Sequence, residues 1–147
     1  MTRRARARPS WRPSLPACTR RNDGSKETTR ENWQKRLTIA QYRVLRAKGT
    51  DPRGMTVKKG GFDDHFELGT YFCAGCKTPL YQSGMKFDCG CGWPGFWTCI
   101  KDRVREERDA DGRRVEILCN ACNGHLGHVF RGERFKNPSP NERHCVN

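Results

Sequence analysis

Two Cys-x-x-Cys pairs, Cys73-Ala-Gly-Cys76 and Cys119-Asn-Ala-Cys122, constrain this chain more than any other feature. A Cys-x-x-Cys turn brings two thiolates onto one side of a tight loop. Two such loops supply four sulfurs in tetrahedral geometry, the coordination zinc prefers. A four-cysteine zinc site is closed and structural, with no open position for chemistry. One zinc shared by both pairs would tie distant parts of one domain together. The competing reading, a redox dithiol at one of the pairs, fits two matched knuckles less well. The metal also answers a shortage elsewhere. Only 34% of the 147 residues are apolar, a thin supply for one domain of this length. Metal-binding free energy becomes folding free energy and offsets that thinness.

Charge divides the chain. The formal net charge is +13. Residues 1–22 carry Arg3, Arg4, Arg6, Arg8, Arg12, Arg20 and Arg21 and no acid, and so hold +7 of it. The remainder is only moderately basic. An Arg-rich, acid-free start that contains serine suits a mitochondrial presequence. Pro9, Pro13 and Pro16 would interrupt an amphipathic helix there, and the alternative is a disordered basic tail on a cytoplasmic protein. The expected organisation is a basic extension over residues 1–28 and one folded domain over 29–147. No apolar run is long enough to span a membrane, and the N-terminus is too polar for a secretory signal.

The folded part opens with apolar residues at helical spacing: Trp33, Leu37, Ile39 or Ala40, Val44 and Leu45. One helix or two short ones are expected across 30–48, stopped at Lys48-Gly49. Asp51-Pro-Arg-Gly54 reads as a turn. Short β-like runs follow: Thr70–Phe72, Pro79–Tyr81, Phe96–Ile100, Arg114–Leu118 and His128–Phe130. Residues 101–111 are dominated by charge, and Asp111-Gly112 reads as a hairpin turn. Asn137–Asn141 reads as a loop. The architecture is a helical segment followed by a mainly β, mostly antiparallel domain.

Five cysteines remain outside the knuckles. Cys18 lies in the basic tail. Cys99 alternates with Thr98 in an aromatic run and reads as a small buried apolar residue. Cys89 and Cys91 flank Gly90 in a glycine-rich loop, where a thiol can be exposed and can move. Cys145 stands between Arg143, His144 and Asn147, and a nearby cation raises the thiolate fraction. His125-Leu-Gly-His128 follows the second knuckle. In a regular strand its spacing puts the two rings on opposite faces, and the intervening glycine permits a bend that would bring them together.

Six segments in order carry a family resemblance over residues 34–147. They are Tyr42-Arg-Val-Leu-Arg-Ala-Lys-Gly-Thr50, Gly69-Thr-Tyr-Phe-Cys-Ala-Gly-Cys76, Thr78-Pro-Leu80, Lys86-Phe-Asp-Cys-Gly-Cys-Gly-Trp-Pro-Gly-Phe96, Cys119-Asn-Ala-Cys-Asn-Gly-His-Leu-Gly-His-Val-Phe130 and Arg143-His-Cys-Val-Asn147. Together they resemble the methionine-R-sulfoxide reductases of the B type. The resemblance implies a tent of two antiparallel sheets packed at an angle, short N-terminal helices and one structural zinc remote from the active site. It implies Cys73, Cys76, Cys119 and Cys122 as metal ligands, Cys145 as nucleophile and Cys91 as resolving cysteine. Trp93 would line the pocket for the substrate methyl group. His125, His128 and Asn147 would bind and polarise the sulfoxide, with Arg143 beside the nucleophile. The implied substrates are oxidised proteins, and the implied reductant is thioredoxin or a similar dithiol. A monomer is expected, with no nucleic-acid or membrane partner.

Three features depart from the family pattern. His144 replaces an aromatic residue and would set a titratable group beside Cys145. Gly95 replaces the commoner serine. The sequence stops at Asn147, where relatives continue with a short Ser- and Ala-containing tail. Two other functional classes fit parts of the chain. A basic zinc ribbon that binds nucleic acid would use the four cysteines and the charge, and a zinc-stabilised interaction domain would use the cysteines alone. Neither accounts for Gly-Cys-Gly-Trp or the terminal Arg-His-Cys.

Overall fold

A computed structural model describes residues 30–147. The basic extension, with its presequence reading and Cys18, lies outside the described residues.

Two short helices, α1 (Arg30–Arg36) and α2 (Ile39–Leu45), open the fold. Thr38 separates them. Its hydroxyl accepts from the Gln41 N–H while the Gln41 side chain accepts from the Thr38 N–H, a reciprocal cap that starts α2. The stop is subtler than a glycine in the left-handed region. Lys48 holds the positive φ of 54°, and the next N–H, from Gly49, returns to Arg43 O at 2.9 Å. Gly49 is needed because a Cβ there would sit 2.9 Å from that same oxygen.

The β part forms two antiparallel sheets. The smaller pairs β1 (Thr70–Phe72) with β2 (Pro79–Gln82). The larger has six strands: β3 (Lys86–Phe87), β4 (Gly95–Phe96), β5 (Val104–Arg108), β6 (Val115–Cys119), β7 (His125–Phe130) and β8 (Arg143–Val146). Their spatial order is β3-β4-β8-β7-β6-β5. The last strand in sequence therefore lies in the middle of the sheet.

One face of this sheet is the core. Val115, Val129, His144 and Phe96 lie in one cross-strand row. Ile117 and Phe96 are almost fully buried, and Tyr81 from the small sheet stacks on Phe96 at 4.2 Å. Trp33 and Leu45 bring the helices onto the same cluster. Side chains alternate along each strand, so the other face carries Glu116, His128 and Cys145.

Several expectations change. The run Phe96–Ile100 is a strand only as far as Phe96. Beyond it the chain crosses between sheets, with Trp97 N–H bonded to Met85 O and Ile100 N–H to Leu80 O. Cys99 on this crossing is half-buried against the core, and burial raises its thiol pKa. The charged stretch 101–111 contains β5, hidden from periodicity because an edge strand of the sheet bears Arg105, Glu106, Glu107 and Arg108. The terminal segment is a full strand, β8, and β7 begins three residues earlier than its apolar end suggests.

Candidate active site and metal centre

The two knuckles are built alike. In each, the N–H four residues on returns to the first cysteine's carbonyl: Lys77 to Cys73 and Asn123 to Cys119, both at 2.9 Å. The first cysteine's own N–H then bonds Thr78 O in one knuckle and Gly124 O in the other. Lys77 (φ 61°) and Asn123 (φ 58°) take the left-handed turn, so the neighbouring glycines serve packing instead. A Cβ on Gly124 would meet Leu45 at 2.9 Å, and one on Gly75 would meet Trp33 at 3.3 Å.

The loops bring the four sulfurs within 4.8 Å of one another. Cys73–Cys122 and Cys76–Cys119 are 3.7 and 3.5 Å apart. A tetrahedron of thiolates around zinc has edges of about 3.8 Å, from a Zn–S bond of about 2.3 Å. The residues present therefore fit a four-coordinate metal. Arg46 fits as well. It donates to Cys122 O at 2.9 Å, lies 3.8 Å over the Trp33 ring, and keeps Nε and Nη2 buried without a hydrogen-bond partner. A divalent ion with four thiolates carries net negative charge, which a buried guanidinium beside the knuckle complements.

The second centre lies on the outer face of the large sheet. Cross-strand register sets Glu116 opposite His128, His128 opposite Cys145, and Cys145 opposite Gly95. Two strand spacings and three residues separate Cys145 from Cys119, roughly 14 Å by strand geometry. The four-cysteine cluster is therefore remote from Cys145.

His125 joins the row through a bulge. Ile117 pairs with Gly127 but Leu118 pairs with His125, so Leu126 is the extra residue. A bulge re-aims the side chains on either side of it. The His125 and His128 rings end on one face, with centroids 5.6 Å apart. Gly127 is obligatory at this point, because a Cβ would lie 1.9 Å from Cys145 O.

Each ring has a carboxylate partner. His125 Nδ1 is 2.6 Å from Glu116 Oε1, and both side chains are 4% exposed. Lys48, the left-handed residue of the helix stop, places Nζ 2.7 Å from Glu116 Oε2. Burial alone would raise the Glu116 pKa, but Lys48 and His125 together bring it below the ordinary carboxylate range. His128 Nε2 is 3.2 Å from Asp109 Oδ2. Burial, helped by Arg114, lowers the His128 pKa despite that partner. A polar cleft of about 630 Å³ includes His125, His128, Glu116, Asp109 and Lys48 in its walls. An apolar cavity of about 620 Å³ reaches Asp51, Leu126 and Asn147. Cys145 lines neither.

The three loop and strand thiols converge. Cys145 Sγ is 3.8 Å from Cys91 Sγ, and Cys91 Sγ is 2.9 Å from Cys89 Sγ. Burial and the neighbouring Cys91 push the Cys145 thiol up to about 12, against the pull of Arg143. The expected cation is present and loses to desolvation. Arg143 is itself engaged, with Glu133 at 2.5 and 2.7 Å and the Phe130 ring at 4.2 Å.

Trp93 is half-buried, and its Nε1 donates to Asp51 O at 3.0 Å. The Asp51 N–H donates to Asn147 Oδ1, and Asn147 Nδ2 donates to Leu126 O, each at 2.9 Å. The tail residue is thus fixed in place and linked through Asp51 to Trp93. His144 does not join Cys145. It faces the core, 2% exposed, with Nδ1 3.2 Å from the Tyr81 hydroxyl and Nε2 3.0 Å from Glu142. Strand alternation decides this, since adjacent residues of β8 point to opposite faces.

Sequence reasoning missed Glu116, Lys48, Asp109, Asp51 and Glu133. One signal was available: Glu116 is the lone charge within the strand Val-Glu-Ile-Leu-Cys, and a buried charge requires a partner.

A family model described as the SelR domain matches residues 37–147. Peptide methionine sulfoxide reductase B8 of Arabidopsis thaliana is 52% identical over 86% of this chain and 85% of its own length. The B5 protein of Oryza sativa subsp. japonica is 49% identical over 86% and 89%, and the B9 protein of Arabidopsis thaliana is 47% identical over 92% and 91%. With the family model covering most of the chain and these relatives matched along most of their length, this protein belongs to the SelR-domain family of B-type peptide methionine sulfoxide reductases.

Proposed function

We propose that the chain reduces the R epimer of methionine sulfoxide in proteins, with Cys145 as nucleophile and Cys91 as resolving thiol. Methionine sulfoxide reduction itself follows from the family. The observation that carries the finer reading is the 3.8 Å approach of Cys91 and Cys145 sulfurs beside two carboxylate-backed histidines.

Cys145 attacks the sulfoxide sulfur as the thiolate. The oxygen leaves the substrate for the cysteine, so the products are methionine and a sulfenic acid at Cys145. Nδ1 of His125 faces Glu116, which leaves Nε2 for the sulfoxide oxygen. A ring held by a buried carboxylate keeps one orientation, and in its protonated form it donates Nδ1–H to Glu116 and Nε2–H to the sulfoxide oxygen. His128 polarises the same oxygen. Asn147 acts mainly by position, since its carboxamide is committed to Asp51 and Leu126. Trp93 offers an apolar wall that selects the epimer through its methyl group. The Cys91 thiol condenses with the sulfenic acid, releasing water and forming the Cys91–Cys145 disulfide. Thioredoxin or a similar dithiol reopens it by exchange. The four-cysteine centre holds zinc as a structural ion, since its donor set is all sulfur and leaves no open position. The protein acts as a monomer. Residues 1–22 serve as a mitochondrial address, and a reporter fused to the first 30 residues that stayed in the cytosol would remove that assignment.

The test is an epimer-resolved assay with dithiothreitol on peptides carrying each sulfoxide. Consumption of the R epimer alone is expected. Equal consumption of both, or of neither, overturns the reading.

A further inference from the structure

Cys89 is the group in the site that this mechanism leaves unused. Its sulfur lies 2.9 Å from Cys91 Sγ, closer than Cys145 does. It occupies a prepared space. A Cβ on Gly95 would stand 2.8 Å from Cys89 Sγ and 3.4 Å from Cys89 Cβ. Gly95 is also the residue paired directly with Cys145 across the ladder. The absence of a side chain at position 95 and the presence of sulfur at position 89 are thus one feature. Together they put a third thiol beside the Cys91–Cys145 pair. Gly90 between the two loop cysteines has a φ of +66° and nothing within 4 Å of its missing Cβ, so the loop can tighten around a bond between its neighbours.

We propose that Cys89 completes a thiol relay. The step rests on the Cys145–Cys91 chemistry above. The Cys89 thiolate attacks Cys91 Sγ of the Cys91–Cys145 disulfide. The Cys89–Cys91 bond forms, the Cys91–Cys145 bond breaks, and Cys145 leaves with the electron pair and takes up the proton that Cys89 lost. Nothing is oxidised or reduced overall, so no further reagent is needed. The oxidising equivalent moves from the sheet to a loop whose Asp88 and Gly90 are exposed. An external dithiol reaches it there, and Cys145 is free for a second substrate.

The electrostatics change in the required direction. In the reduced protein, burial and the hydrogen bond with Cys91 push the Cys89 thiol up to about 11. Bonding Cys91 to Cys145 removes the Cys91 thiol from that balance, while Arg143 continues to favour the Cys89 thiolate. Burial still holds the Cys89 thiol up, so forming the target eases its ionisation only in part.

The relay sets a stoichiometry. Excess methionine-R-sulfoxide, mixed with reduced full-length protein without reductant, should release two methionines per chain. The first equivalent ends as Cys89–Cys91 and the second as a sulfenic acid on Cys145, trapped by dimedone. Trypsin cuts after Lys86, Lys101 and Arg143, so Cys89 and Cys91 share one peptide and Cys145 lies on another. The expected products are the first peptide lighter by two hydrogens and a dimedone adduct on the second. Cys89→Ser should release one methionine and join the two peptides through Cys91–Cys145. Gly95→Ser should fall toward the same result, because its Cβ displaces the Cys89 sulfur while the cysteine remains. One methionine from the unaltered protein, with the peptides joined, overturns the relay and leaves the proposed function standing. No methionine from any form overturns the proposed function itself.

Discussion

Glu116 and His125 meet at 2.6 Å across a β-bulge, each 4% exposed. The bulge turns a His-x-x-His spacing into two rings on one face, and the carboxylate fixes one of them. Glu116→Gln should lower kcat by about tenfold to a hundredfold, within the range a positioned acid contributes, with KM changed little. Steady-state kinetics on the R sulfoxide checks this. An unchanged kcat would remove Glu116 from the mechanism.

The same residue should be visible in acid. Its pKa lies below the ordinary carboxylate value of 4.5. A depressed carboxylate contributes stability that is present above its unfolded pKa and disappears as pH falls through its folded pKa. Glu116→Gln lacks that contribution, so its stability should fall less steeply than the wild type's on acidification below pH 4.5. Lys48 is largely exposed, so solvent screens its share. Urea unfolding at stepped pH measures the two slopes.

Cys145→Ser should reduce activity by at least about a thousandfold, on the scale of nucleophile removal in other enzymes. Fold and metal content should be retained, because the residue is half-buried and its strand is held by β4 and β7. Activity, circular dichroism and metal analysis on one preparation decide the point.

Cys145 reactivity should depend steeply on pH in the free protein. Burial pushes its thiol up to about 12, so its thiolate fraction rises about tenfold per pH unit through the neutral and mildly alkaline range. Iodoacetamide labelling of the terminal peptide should follow that slope. Arg143→Ala removes the charge that favours the thiolate and should slow labelling by about two- to tenfold. A plateau near neutral pH would show a thiol already activated.

Replacing any one of Cys73, Cys76, Cys119 and Cys122 by serine should release one zinc and lower stability by several kcal/mol, on the scale of metal-coupled folding. Colorimetric zinc release and denaturant unfolding check both parts. Full stability after metal removal would contradict the structural role.

Local chemistry made much of this protein legible. Two matched Cys-x-x-Cys turns announce the metal centre, because the ligand spacing within each turn is itself a local property. The terminal Arg-His-Cys and the glycine-flanked Cys91 pointed to the two thiols proposed here as nucleophile and resolving group, because small flexible neighbours and nearby charge are visible in the chain. Short apolar runs between glycines placed most of β1, β2 and β6 and half of β7 for the same reason. Pairing across strands decided the rest, since it depends on residues far apart in sequence. Only register puts Glu116, His128, Cys145 and Gly95 in one row. Only the Leu126 bulge carries His125 onto that face, and only strand alternation sends His144 into the core. Desolvation is equally non-local, which is why Arg143 beside Cys145 suggested an activated thiol while burial in the folded protein pushes that thiol's pKa up. The space at Gly95 became meaningful once folding placed the Cys89 sulfur inside it.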